Sequence, residues 1–137
     1  ERTNARYLET LAEPVSLVTL DASFISLKLL LPVIKNWLLP QADIIPLIKP
    51  QFEAGRDDVG KGGVVKDPAI HYRVVQDVLT FAIASGFGVN GLIASPLKGP
   101  AGNTEFLAWL SWGNPPHSVN DLEALIASVI PYSPTPD

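Results

Sequence analysis

The sequence contains no cysteine and no methionine. Without thiols there can be no disulfide framework, no thiolate metal site and no cysteine nucleophile. A chain that starts at Glu1 and holds no methionine is expected to be part of a longer protein. Long hydrophobic runs are missing as well. The longest apolar stretch, FISLKLLLPVIKNWLLP at 24–40, carries Lys28 and Lys35 and is too short to be a good membrane-spanning helix. No signal peptide is visible in the opening ERTNARYLET, so a cytoplasmic setting is expected. An excess of positive charge is also lacking. The 14 acidic and 10 basic residues leave a net charge of −4, which argues against gripping nucleic acid over the whole surface. A local basic patch remains open.

What is present is a core. With 47% hydrophobic residues in 137, the chain can bury enough aliphatic surface for one globular domain, expected over 1–130 with a flexible tail at 131–137. VSLVTL (15–20) is a β-branched apolar run between Pro14 and Asp21, and reads as a buried strand. The stretch 23–38 repeats its apolar residues at helical spacing, with Ser23 or Ser26 as cap. Pro32 inside it predicts either a kink or a helix that starts near Leu29. DIIPLIK (43–49) is a second buried strand, made irregular by Pro46. Glycine and charge then dominate 54–66, which reads as a mobile loop. A long helix follows over 67–86, capped by Asp67, started by Pro68, stopped by Gly86, with Ile70, Val74, Val78 and Phe81 expected on its buried face. Strands at 87–96 and 103–112 share a short connection and should pair antiparallel, and a last helix is expected at 118–130. The order predicts a partial Rossmann-like α/β sheet, with parallel strands, a C-terminal antiparallel hairpin and helices on both faces.

Three ionisable residues flank the apolar strands. Asp21 follows the first and Lys49 closes the second, so in a parallel pair both stand at the carboxyl edge, where open α/β sheets bind ligands. Glu105 opens the strand at 103–112, which starts at that same edge if it runs antiparallel. Taken singly, Asp21 is an ordinary cap or turn former and Lys49 an amine snorkelling to water. Glu105, between Gly-Asn and an aromatic strand, has no evident packing role. Together the three describe a proton-transfer cleft. His71, on a helix face, and His117, in a tail, read as solvent-facing.

The blocks LDASFISLKLLLP, LIKPQFEAGRDDVGKGGVVKDP and SPLKGPAGNTEFLAWL, in this order over most of residues 1–112, resemble the hemolysin A (TlyA) family of FtsJ-like ribosomal RNA 2′-O-ribose methyltransferases. The resemblance implies S-adenosylmethionine as cofactor, ribosomal RNA or a ribosomal subunit as partner, and a lysine–aspartate–lysine–glutamate tetrad that needs no metal. Carried over by motif, Asp21 is the tetrad aspartate, Lys49 its second lysine and Glu105 its glutamate. The first lysine, the glycine-rich cofactor turn and an N-terminal RNA-binding domain have no counterpart in these residues, so this chain resembles the C-terminal half and is expected to be inactive alone. Asn4 is implied to lie beside the cofactor adenosine, with Asp21 also near the cofactor.

Chemistry supports the same assignment. A ribose hydroxyl is a weak acid, so its proton must leave as it attacks a sulfonium methyl. A lysine can take that proton when neutral, a state favoured by burial or a nearby positive charge. Lys49 is then the base, and Asp21 and Glu105 orient amine and hydroxyl. Gln51 can hydrogen-bond a nucleotide and Phe52 can stack on one, or Phe52 simply packs over the loop. Arg56, Lys61 and Lys66 make the glycine loop either a lid that meets RNA phosphates or plain solvated chain. Two rival functions stand beside this one: a membrane-active cytolysin, suggested by the hemolysin name, and a non-catalytic RNA-binding fragment. The sequence sets no oligomeric state.

Overall fold

A computed structural model describes residues 13–22, 25–113 and 116–132. Four strands form one sheet: β1 (Val15–Leu20), β2 (Leu38–Ile48), β3 (Gly88–Ala94) and β4 (Phe106–Trp112). Their spatial order is β1-β2-β4-β3. β1 and β2 run parallel, and β4 lies antiparallel between β2 and β3. The expected mixture of parallel strands and an antiparallel hairpin is therefore present. The hairpin's second strand does more than cap the sheet, because it inserts beside β2 and separates β3 from the parallel pair.

The first helix, α1 (Leu27–Ile34), forms because Leu27, Leu30, Leu31 and Ile34 recur on one side and are all buried. It starts at Leu27 rather than near Leu29, since Ser26 caps it by accepting the Lys28 amide. Pro32 stays inside, and the helix then tightens into a 3-10 turn at Lys35–Trp37. The apolar run at 24–40 is thus spent on a core helix, a turn and the start of β2. No described helix is long and apolar enough to cross a membrane. β2 begins five residues earlier than predicted. Its extra length is taken up by a bulge, where the pairing jumps from Val15–Leu38 to Leu17–Asp43.

A short α2 (Pro50–Glu53) follows β2 directly, with Pro50 in its first turn. The long helix α3 (Pro68–Ala84) matches its predicted punctuation: Asp67 accepts the Ala69 amide at 2.9 Å, and Gly86 ends it at a φ of 100° that favours glycine. Its buried face is turned from the expected one. Val74 and Val78 are buried, but Ile70 and Phe81 are only half-buried, while His71, Val75, Leu79 and Ala82 face the core. The last helix, α4 (Leu122–Ala127), is shorter than predicted and is capped by Asp121. Val18, Leu20, Ile44, Ile48, Phe106 and Leu110 from the sheet join Leu31, Val75, Leu79 and Ile126 from the helices in a single core cluster. The opposite sheet face carries exposed Leu17, Ile93 and Trp109.

Candidate active site

Strand register decides which side chains meet at the edge. β1 ends at Leu20, opposite Pro46, and β2 runs on two residues to Ile48. Ile48 pairs with Phe106, the first residue of β4. The residue after β2 and the residue before β4 therefore face each other, and these are Lys49 and Glu105. Asp21 follows β1 at the same edge. The three residues singled out from the sequence are brought together.

Lys49 Nζ lies 2.5 Å from Asp21 Oδ1. The lysine side chain is only 12% exposed and the aspartate 70%, so the pair joins a nearly buried amine to a carboxylate open to solvent. The amine also stands 5.9 Å from the centre of the Phe52 ring, a cation–π distance. Across the edge, Gln51 Nε2 donates to Glu105 Oε2 at 2.8 Å. Glu105 is buried, and a Cβ placed on Gly99 would come within 2.5 Å of that same oxygen. The turn at 96–103 closes over the carboxylate because residue 99 has no side chain. With its amide nitrogen committed to Glu105, Gln51 keeps Oε1 buried and without a partner. A buried acceptor of this kind is costly unless a ligand supplies a donor.

Lys49, Gln51, Phe52, Gly62, Gly63, Asn103 and Glu105, with Pro100 and Ala101, line one cleft of about 370 Å³, within the range of small-molecule sites. Polar side chains share this lining with an aromatic ring, proline, alanine and glycine backbone. A larger hollow of about 570 Å³ lies between α2 and α3. Two of its charged groups are already neutralised, Asp77 by Lys28 and Arg73 by Asp58, and its lining includes none of Asp21, Lys49 and Glu105. The cleft is the better site.

Other expected residues fall elsewhere. Arg56 and Lys61 are exposed on the loop and outside the cleft lining, and Lys66 is exposed beyond it. Asn4 lies outside the described residues. His71 is not solvent-facing. It is buried, its Nε2 sits 2.8 Å from the Val65 carbonyl, and its ring packs edge-on against Phe106. His117 is exposed as expected. The glycine loop is better tied than its composition suggests, with a 3-10 turn at Arg56–Asp58 and a closed turn from Gly60 to Val64.

Sequence reasoning passed over Glu53, Gly99 and Asn103. Glu53 reaches from α2 to the start of α1, accepting the Ser26 hydroxyl at 2.6 Å and the Leu27 amide at 2.8 Å. Burial raises its pKa above the ordinary value of 4.5, outweighing these hydrogen bonds and the Lys28 charge, which lower it. The contact joins the segment after Asp21 to the segment after Lys49. Each of these residues sits inside a block already singled out, but Glu53 and Asn103 bond partners tens of residues away, and Gly99 matters only for the Glu105 carboxylate that approaches it.

The profile of the FtsJ-like methyltransferases matches residues 1–112. The YqxC protein of Bacillus subtilis is 47% identical over 116 residues, covering 82% of this chain and 41% of that protein. The 16S/23S rRNA (cytidine-2'-O)-methyltransferase TlyA of Mycobacterium tuberculosis is 49% identical over 112 residues, covering 80% of this chain and 42% of the relative. The chain spans about two fifths of the length of these curated relatives. The crystal structure of a candidate hemolysin from Lactococcus lactis superposes with a TM-score of 0.81 at 37% identity, over 92% of this chain and 62% of that one. A profile match that runs through β1, α1, β2, α3, β3 and β4, with relatives near half identity over about four fifths of the chain, makes this chain a member of the FtsJ-like methyltransferase family.

Proposed function

We propose that this chain forms the acceptor-side half of a cytoplasmic, S-adenosylmethionine-dependent methyltransferase that acts on a ribose 2′-hydroxyl of ribosomal RNA. The observation that carries the reading is the Lys49 amine, paired with Asp21 and sharing a cleft with Glu105. Asp21 suits a cationic cofactor, since its carboxylate remains largely exposed beyond the Lys49 contact. When bound, S-adenosylmethionine supplies an electrophilic methyl group. Lys49 takes the proton of the ribose hydroxyl as the new carbon–oxygen bond forms and the methyl–sulfur bond breaks, the sulfur keeping the electron pair as a neutral thioether. Asp21 holds the amine in place, and Glu105, itself held by Gln51, orients the hydroxyl. Gln51 Oε1 accepts a hydrogen bond from the nucleotide, and the apolar groups of the lining, Phe52 among them, take the base. Bringing hydroxyl and methyl into line then supplies much of the rate. Because the chain covers about two fifths of its relatives, the activity belongs to the longer protein.

The test uses full-length protein, ribosomal subunits and S-adenosylmethionine labelled in its methyl group. Lys49→Ala should abolish label transfer while calorimetry still detects cofactor binding. In the unsubstituted reaction, one position of the RNA should become resistant to alkaline hydrolysis, the mark of a blocked 2′-hydroxyl. Equal turnover by the lysine variant overturns the base assignment, and label on a nucleobase overturns the substrate class.

A further inference from the structure

One buried polar residue has no part in the chemistry above. Asn103 is 2% exposed, deeper than Glu105 or His71. Its Oδ1 accepts the Val65 amide at 2.8 Å, and its Nδ2 donates to the Gly63 carbonyl at 2.9 Å. Both partners belong to the glycine turn. That turn is closed internally by the Gly60 amide to the Val64 carbonyl at 2.8 Å and the Gly63 amide to the Gly60 carbonyl at 3.1 Å. Gly62 and Gly63 take φ values of 79° and 77° and line the cleft together with Lys49 and Phe52. His71 adds a third tie from α3, through the Val65 carbonyl.

An asparagine is suited to this place because its amide offers one donor and one acceptor to two backbone groups that need opposite partners. Aspartate lacks the donor, and alanine leaves both groups unpaired. Asn103 also stands two residues before Glu105, whose carbonyl accepts the Ser95 amide at 2.7 Å and so stays in the β3–β4 ladder. We infer that Asn103 is a positioning residue, pinning the glycine turn to the root of β4 so that the wall receiving the acceptor nucleotide is set before RNA arrives. The inference rests on the cleft being the acceptor site. A wall left loose must be ordered on binding, which weakens association. The Lys49–Asp21 and Gln51–Glu105 contacts do not pass through Asn103, so the step after binding is spared.

The experiment is steady-state methyl transfer by the full-length protein, varying ribosomal subunits at saturating cofactor and below each variant's melting temperature. Asn103→Ala should raise KM for RNA about tenfold while kcat stays within about threefold of the parent. Gly63→Ala should act in the same direction with the Asn103 side chain kept, by straining its backbone partner: the added Cβ meets nothing within 4 Å, but the backbone conformation is strained for alanine. Unchanged KM in the variants overturns the inference, as does a fall in kcat with KM held. Should Asn103→Ala fail to fold, Gly63→Ala decides alone. An unsubstituted enzyme that transfers no methyl group sinks the acceptor reading and this inference with it, and that control separates the two failures.

Discussion

Glu105 shows how much of the site depends on single side chains and on one that is absent. Its carboxylate is buried, receives the Gln51 amide, and lies under Gly99. Gly99→Ala should therefore push the flexible end of Glu105 aside without opening the core. The expected result is a loss of methyl transfer of about tenfold or more, with a stability change under about 1 kcal/mol, read from denaturant melts. A loss of stability that matches the loss of activity would contradict this. The charged triad was legible because each member breaks an apolar pattern at a strand end. Gly99 and Asn103 were not, since a glycine's value lies in what approaches it and an asparagine's in partners 38 and 40 residues away. His71 was misplaced for a related reason. A histidine among hydrophobic helix positions says nothing of the Val65 carbonyl that satisfies it.

At the scale of elements, local punctuation was readable and neighbours were not. Asp67, Pro68 and Gly86 bound α3 as their chemistry demands. The insertion of β4 between β2 and β3 left no local trace, because antiparallel pairing to either side satisfies the same alternation. The bulge in β2 was equally hidden. Pro32 gives a direct test of helix energetics. It is exposed and sits where an amide would bond the Lys28 carbonyl, so Pro32→Ala restores a helical hydrogen bond. The gain should be about 1–2 kcal/mol after the greater chain entropy of the unfolded variant is subtracted, with methyl transfer unchanged. A lowered melting temperature would show that the ring packs in a way alanine cannot replace.

The α1–α2 junction adds a pH dependence. Glu53 has a raised pKa in the folded chain, so the folded state holds that proton more tightly than the unfolded state. Its contribution is fully present below about pH 4.5 and is lost as pH rises through the raised value. Glu53→Gln removes this titration. The difference in unfolding free energy, wild type minus variant, should fall as pH rises from 4.5 and level off once Glu53 is ionised. A difference that grows with pH would mean the two hydrogen bonds outweigh burial.

For the whole molecule, the described helices α1, α3 and α4 share one core with a single face of the sheet. The other face leaves Leu17, Ile93 and Trp109 in water, where Trp109 Nε1 donates to Asp43 at 2.9 Å. The cleft proposed for the acceptor, by contrast, is assembled within this chain, from α2, the glycine turn and the β3–β4 connection. The two sides of the reaction are therefore unequally represented. The residues assigned to the cofactor are Asn4 and Asp21, and two side chains are too little to hold a molecule the size of S-adenosylmethionine against the loss of its translational freedom. The 137-residue chain alone should show no measurable heat with S-adenosylmethionine in calorimetry, whereas the full-length protein should bind it. Tight binding by the isolated chain would relocate the cofactor site into these 137 residues, and with it the direction from which the methyl group reaches Lys49.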